Sequence, residues 1–350
     1  MNVVLLAPTP PPAGGISSWT ERMQKTILKN GWRVEVVDEK LIGGRTIYGS
    51  TSKKKLSVEI RRCFRIWRDL YKALKNKENV IVQACIPAGL FSMLREIISL
   101  LITKLHRRKF IIHFRCTVPN MIHNSFTKMI LKVFVSMSDC VFLLNQQSMD
   151  YMMKIAPKSR YELIPNFVEA TEGVTEKHIK ANIENIVYVG GVIPEKGCER
   201  IISLAKIIPN INFRLIGKVG IDTNNIPNNV ILCGEKTRSE VHDELLNADV
   251  FIFLSKFPGE GFSNALAEAM AYSLPCIVTD WAANADMIEQ HGGVIIKGDA
   301  DEEVVEAITS LQNANVRKKM GYWNREKVMV MYSEKKITDM YVDVYENLIK

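Results

Sequence analysis

Short runs dense in aliphatic and β-branched residues recur along the chain, separated by longer stretches with helical spacing. In the first half they fall at 2–6 (NVVLL), 33–37 (RVEVV), 79–83 (NVIVQ), 109–114 (KFIIHF) and 139–144 (DCVFLL). In the second half they fall at 185–189 (NIVYV), 211–216 (INFRLI), 229–233 (NVILC), 249–254 (DVFIFL), 275–279 (PCIVT) and 293–296 (GVII). Several are apolar without alternation, the pattern of strands buried on both faces of a parallel sheet. Strands alternating with helices predict an α/β protein of two doubly wound, Rossmann-like domains. Residues 166–184 (NFVEATEGVTEKHIKANIE) turn polar and lose the apolar period. The boundary is expected there, giving a first domain over 1–165 and a second over 166–332. The stretch 333–349 predicts a last helix with Ile337, Met340, Tyr341, Val344 and Leu348 on one stripe.

Length agrees with two cores, because 350 residues exceed what a single core normally organises. A hydrophobic share of 47% and a charged share of 24% exclude a disordered chain, a coiled coil and a collagen-like fibre. The start, MNVVLLAPTP, has no basic leader, and the most apolar stretch, 79–103, is broken by Pro87, Arg95 and Glu96. Neither a secretory signal nor a spanning helix is expected. Seven scattered cysteines without metal spacing read as reduced cytoplasmic thiols.

Charge is divided unevenly along the chain. Residues 1–165 carry 27 Lys and Arg against 11 Asp and Glu, whereas the remainder carries 19 against 27. The basic half is expected to face an anionic partner. No reader module with interleaved aromatics is present, so a membrane or a phosphate-bearing acceptor is expected rather than nucleic acid. Residues 53–77 (KKKLSVEIRRCFRIWRDLYKALKNK) sharpen this. Leu56, Ile60, Cys63, Phe64, Trp67, Leu70, Tyr71 and Leu74 form one helical stripe amid ten basic residues and two acids, Glu59 and Asp69. Such a helix either packs on the sheet or lies in an anionic lipid interface, and the sequence is read as a mixture of the two, with residues 104–109 (KLHRRK) adding to the basic patch.

The strongest chemical signal is 249–279, DVFIFLSKFPGEGFSNALAEAMAYSLPCIVT. A buried strand runs into a glycine loop, then a helix from about Asn264 to Tyr272 with Ser263 as N-cap, then a strand. In such a βαβ unit the strand end and helix N-terminus face the ligand crevice, and free N–H groups there attract phosphate. Gly259 and Gly261 allow close approach. One glutamate here would be a solvated side chain. Two, Glu260 and Glu268, framing the loop suit paired sugar or ribose hydroxyls.

Residues 260–279, EGFSNALAEAMAYSLPCIVT, resemble the E-x7-E motif of the retaining glycosyltransferases of family 4. The resemblance implies a GT-B architecture, two Rossmann-like domains facing an inter-domain cleft, with the nucleotide-sugar mainly on the C-terminal domain. It implies that Glu268 holds ribose hydroxyls and Glu260 the transferred sugar, while Gly261, Phe262, Ser263, Asn264 and Ala265 meet the diphosphate and sugar. Three other segments are similar to family segments. PTPPPAGGISSW (8–19) matches a first glycine loop through Gly14 and Gly15, although taken alone the glycine pair reads as a plain strand-to-helix turn. YELIPNFVE (161–169) matches an interdomain segment, with Phe167 where the family has Gly. YVGGVIPEKG (188–197) places Gly190 and Gly191 in a second glycine turn and Lys196 on the family's diphosphate-binding lysine. The family's usual Arg is Gly191 here, so Arg115 or Lys218 is a candidate to replace that charge. The N-terminal catalytic position of the family falls in FIIHFRCTVPN, on His113 or on Arg115.

The expectation is a retaining transferase that uses a nucleotide-diphosphate sugar as co-substrate. Its expected acceptor is a lipid-linked saccharide at the cytoplasmic face of the plasma membrane, in O-antigen- or capsule-type synthesis. No metal is required, since Asp299 and Asp301 read as helix-start residues rather than a metal motif. Two alternatives stay open: a sugar-nucleotide epimerase of similar fold, whose acid/base pair is not found, and a non-catalytic nucleotide-sugar-binding subunit, favoured only by Gly191.

Overall fold

A computed structural model of the chain describes residues 2–11, 15–29, 31–40, 56–169 and 179–350. It divides into two compact units. The first comprises Met1–Asn166, Pro258–Phe262 and Lys335–Lys350, and the second Phe167–Phe257 and Ser263–Glu334.

In the first unit the elements are β1 (Asn2–Ala7), α1 (Gly15–Lys29), β2 (Arg33–Asp38), α2 (Leu56–Leu74), β3 (Val80–Ile86), α3 (Leu90–Leu105), β4 (Lys109–Phe114), α4 (Ser125–Met137), β5 (Cys140–Leu143), α5 (Gln146–Ile155) and β6 (Tyr161–Leu163). The strands make one parallel sheet in the order β2-β1-β3-β4-β5-β6. Alternate residues of its strands serve opposite layers. Val4, Leu6, Val82, Ala84 and Ile86 pack with the inner sides of α2, α3 and α4. Gln83 and His113 point to the other layer, where Trp19 of α1 lies. Asn124 and Asn145 start α4 and α5 by accepting the N–H of Thr127 and Ser148.

The second unit contains β7 (Asn185–Val189), α6 (Cys198–Ile207), β8 (Asn212–Ile216), β9 (Val230–Gly234), α7 (Arg238–Asn247), β10 (Val250–Phe253), α8 (Asn264–Ala271), β11 (Cys276–Thr279), α9 (Asn284–Ile288), β12 (Gly293–Ile296), α10 (Asp301–Ser310) and α11 (Ala314–Met331). Its sheet is also parallel, in the order β12-β11-β10-β7-β8-β9. Two polar side chains are buried as structural braces. Asn324 donates to the carbonyls of Leu274 and Gly292, both at 2.7 Å. Arg317, 1% exposed, donates to the carbonyls of Leu311, Gln312, Lys180 and Ala181. α11 comes so close to α8's end that a Cβ on Gly321 would lie 2.0 Å from the Ser273 carbonyl oxygen.

The last helix, α12 (Glu334–Ile349), buries Ile337, Thr338, Tyr341, Val344 and Tyr345. Its residues from Lys335 onward belong to the first unit. The inward stripe therefore includes Thr338 and Tyr345 instead of Met340 and Leu348, which stay half-buried. The short β6 carries only Tyr-Glu-Leu and is too brief for a periodic signal. The α2 stripe divides. Cys63, Leu70 and Leu74 are buried with Ile66 and Ala73, while Leu56, Ile60, Phe64 and Tyr71 are exposed. Lys53, Lys54 and Lys55 lie outside the described residues.

Candidate active site

In the second unit, β7 and β10 are sheet neighbours whose following connections run to opposite edges. Ligands of open parallel sheets settle at such a switch point, beyond the carboxyl ends of the strands. The residues after β7 and after β10 are the ones singled out from sequence. After β7, Gly190 has φ +152° and a Cβ there would meet the Tyr188 hydroxyl at 2.7 Å. That hydroxyl donates to the Gly191 carbonyl at 2.8 Å, and the turn is pinned to the end of β8 by Gly190 N–H to Ile216 and Val192 N–H to Lys218. Gly217, φ +139°, lies so close that its Cβ would fall 1.9 Å from the Gly190 carbonyl oxygen. The glycine turn is thus a rigid backbone cradle. Gly191 has open space around its Cβ position.

Lys196 ends a single 3-10 turn, Pro194–Lys196, and Gly197 reverses the chain into α6 at φ +75°. The Lys196 ammonium stands 5.8 Å from the Phe253 ring centre and 5.5 Å from that of Phe257. Aromatic faces attract a cation through their quadrupole. The exit of β10 is fixed by Thr279, which donates to the Ser255 carbonyl at 2.7 Å, and by the Trp281 indole, which donates to that of Phe257 at 2.8 Å. Downstream, Ser263 caps α8 by accepting the Leu266 N–H at 3.2 Å. Asn264 and Ala265 form the half-buried first turn, and Glu268 is half-buried in the second. Lys218, two residues past the end of β8, is exposed, whereas the Gly190–Gly191 turn is half-buried. Asp299 pairs with Lys256, and Asp301 with Arg200 at 3.1 Å. Among the described residues no group of three His, Cys, Asp or Glu side chains could hold a metal ion.

In the first unit, the segment Pro258–Phe262 is held through its backbone. Thr117 N–H donates to the Glu260 carbonyl at 2.9 Å, and the Asn145 amide donates to that of Gly261 at 2.9 Å and to Thr117 Oγ1 at 2.8 Å. A Cβ on Gly261 would strike Leu144 Cδ1 at 2.7 Å. Phe262 is buried, and its carbonyl lies 3.5 Å from the Asn166 amide. Asn145 and Asn166 thereby orient the loop that carries Glu260. Neither was singled out by sequence as a site residue, although Asn166 sits in the quoted IPN segment and Asn145 directly follows a strand. Gly14 lies outside the described residues, and Gly15 opens α1 with nothing near its Cβ position.

His113 and Arg115 leave β4 on one side, linked at 3.1 Å between Nε2 and Nη1. Arg115 also donates to Asn166 Oδ1 at 2.6 Å, and its guanidinium lies 4.4 Å from the Trp19 ring centre. Burial lowers its pKa, and the titratable groups that act on it are Tyr341, Cys85, Arg22 and Cys116, with no carboxylate among them. A buried cation so placed is suited to an incoming anion. His113 is fully buried, ringed by Trp19, Phe142 and Tyr341, with Gln83 at 3.2 Å from Nδ1 and Tyr345 behind Gln83 at 2.6 Å. Both its ring nitrogens thus have side-chain partners, Gln83 at Nδ1 and Arg115 at Nε2.

Burial, then the Arg115 charge, hold the His113 pKa well below its usual value. As pH falls through the unfolded pKa of about 6.5, the unfolded chain takes a proton that the folded chain refuses, so stability falls by about 1.4 kcal/mol per pH unit. His113→Gln should flatten that acid limb. Denaturant melts near pH 7 and pH 5 check this, and an unchanged difference between wild type and variant would show that His113 does not titrate this way.

Residues 174–327 match the family profile described as glycosyl transferases group 1. The chain is 28% identical over 194 residues to the capsular polysaccharide biosynthesis glycosyltransferase CapM of Staphylococcus aureus, covering 50% of each. It is 28% identical over 136 residues to the putative teichuronic acid biosynthesis glycosyltransferase TuaC of Bacillus subtilis, covering 38% of this chain and 34% of that protein. These matches thus span half or less of the curated relatives. In fold, sucrose-phosphate synthase from Thermosynechococcus elongatus superposes with a TM-score of 0.76 at 15% identity, covering 99% of this chain and 98% of that one. Anabaena HepE in complex with UDP superposes at 0.69 and 14% identity, covering 99% and 100%. Likeness in sequence to group 1 glycosyl transferases therefore lies in the second unit and the end of the linker, and the chain as a whole has the two-domain α/β fold of GT-B glycosyltransferases.

Proposed function

We propose that the chain is a retaining glycosyltransferase of family 4 type, moving a sugar from a nucleotide-diphosphate sugar to a lipid-linked saccharide in cell-surface polysaccharide synthesis. The observation that carries this reading is the second unit's switch point. There, within the stretch matching group 1 glycosyl transferases, a rigid glycine turn, Lys196 and the capped N-terminus of α8 occupy the ligand end of the sheet. Solved neighbours include a complex with UDP, and curated relatives include capsule and teichuronic acid enzymes.

In this reading Lys196 and the N–H groups at the start of α8 offset the charge that grows on the leaving diphosphate. Glu268 accepts the ribose hydroxyls, and Glu260 orients the transferred sugar. The rigid setting of the glycine turn means that little reorganisation is needed as charge develops. In the first unit Arg115 meets an anionic group of a substrate, with His113 and Asn166 fixing its guanidinium. The chemistry is assigned to these fixed donors. The chain is further proposed to work as a peripheral protein at the cytoplasmic membrane face, through α2 and its basic neighbours. No helix among the described residues is long and apolar enough to cross a membrane.

A thermal-shift screen of the full chain against UDP-, GDP-, dTDP- and ADP-sugars tests donor binding, since a ligand that prefers the folded state raises its stability. Stabilisation by one nucleotide class, with nucleotide released on adding a lipid-linked acceptor, is the expected result. Stabilisation without turnover under any acceptor would favour a binding subunit, and epimerised donor without acceptor would favour an epimerase.

A further inference from the structure

α2, α3 and α4 bury their inner sides against one layer of the first sheet and stand next to one another. The Trp67 indole donates to the Arg95 carbonyl at 3.2 Å and the Tyr71 ring meets that of His106 at 5.1 Å, so α2 is knitted to α3. Their outer sides are unusual. α3 exposes Phe91, Leu94, Ile98, Leu101 and Leu105, spaced three, four, three and four residues apart, with Leu105 83% exposed. α4 exposes Phe126, Met129 and Val133 at the same spacing. α2 adds Ile60 and Phe64, the latter 65% exposed. Single exposed apolar side chains are ordinary, whereas aligned rows on three adjacent helices form a patch that marks an interaction surface.

The charges around the rows are mostly basic. α4 has no acidic residue and displays Lys128 and Lys132, both exposed. The one acid of α3, Glu96, is fully buried against Arg95. On α2, Glu59 is buried beside Arg62 and Asp69 is paired with Arg68, leaving Arg61 and Lys72, with Lys75 just past the helix, at the surface. Past α3, Arg107 extends the rim, while Lys104 and Lys109 share the half-buried Asp139 at 2.6 and 3.6 Å. A second copy meeting this face by its own equivalent would bring like charges together. An anionic bilayer satisfies both halves of the pattern, with apolar rows at the acyl boundary and a basic rim at the headgroup phosphates.

We propose that the plane formed by α2, α3 and α4 is a lipid-docking surface, and that the α3 row enters the acyl boundary of an anionic bilayer. This rests on the membrane reading given above for α2 and extends it to two helices that reading did not use. Vesicle co-sedimentation of the full chain tests it, with phosphatidylglycerol-rich vesicles against pure phosphatidylcholine. Three paired variants are compared: Leu94→Ser with Leu101→Ser on α3, Lys128→Glu with Lys132→Glu on α4, and Ile60→Ser with Phe64→Ser on α2. Lys206→Glu with Ile207→Ser, exposed on the second unit, is the control.

Wild type and control should partition onto the anionic vesicles. The α3 pair should lose on the order of tenfold or more at both low and high salt, and the α4 pair a similar factor that fades as salt screens the charge. All these side chains are exposed, so circular dichroism should show each variant folded; if the α3 pair fails to fold, the α4 pair still decides. Loss confined to the α2 pair would keep the membrane reading and overturn the three-helix plane. Absence of wild-type sedimentation would overturn both. A dimer in lipid-free solution that the α3 pair abolishes, without vesicle binding, would assign the face to a second copy and overturn the proposal.

Discussion

Glu268→Ala should reduce turnover at sub-saturating donor by roughly a hundredfold, mostly through KM, because two hydroxyl hydrogen bonds to a carboxylate amount together to about 3 kcal/mol. Glu260→Ala should act differently. A group that orients the sugar as the bond breaks lowers kcat, on the order of a thousandfold, with a smaller change in KM. Neither substitution should disturb folding. Both side chains are half-buried, and Glu260 engages Thr117 through its backbone carbonyl, which alanine retains. Steady-state kinetics of nucleotide release separate the two patterns. Wild-type kcat/KM in Glu268→Ala would remove the assigned role, and a pure KM effect in Glu260→Ala would reassign that residue to ground-state binding.

The second large effect is on stability. Gly217→Ala places a methyl group 1.9 Å from the Gly190 carbonyl oxygen at a φ of +139°. Backbone has to move, and the combined clash and strain should cost more than about 4 kcal/mol. The melting temperature should drop steeply or the protein should fail to fold. Gly191, one residue from that contact, supplies the control. A Cβ there meets nothing within 4 Å and its φ is not positive, so Gly191→Ala should leave stability within about 1 kcal/mol of wild type. Gly191→Arg should fold as well, and the added positive charge should tighten donor binding. Equal melting temperatures for Gly217→Ala and Gly191→Ala would show that the cradle is softer than described.

Eleven strand runs read from the sequence correspond to strands of the two sheets, because uninterrupted aliphatic runs bounded by polar turns leave a parallel sheet as their economical home. Ser263 was legible for a local reason: a hydroxyl immediately before an apolar period has an orphan N–H to accept. The gaps have physical causes too. Asn145 and Asn166 act on residues 116 and 96 positions away, and no local pattern announces such a partner. Gln83 did offer a signal, as the sole polar side chain in an otherwise apolar strand, and that signal passed unused. α3 misleads in the opposite sense. A helix apolar on nearly all sides normally reads as enclosed, yet its Phe91-to-Leu105 row faces outward. Periodicity locates a stripe without revealing which of two apolar sides the sheet will cover.

The path of the chain carries a consequence for inheritance and for engineering. It passes from one unit to the other at residues 166–167, 257–258, 262–263 and 334–335, so neither unit is one unbroken length of gene. A fragment ending at Asn166 would lack Tyr341 and Tyr345, stripping the cover from His113, Trp19 and Gln83. Shuffling between relatives by one cut in the polar linker would join a first-unit core to a foreign closing helix and a foreign glycine loop. A working hybrid has to exchange all three pieces together, which ties the sixteen residues from Lys335 to Lys350 to the history of the amino-terminal half.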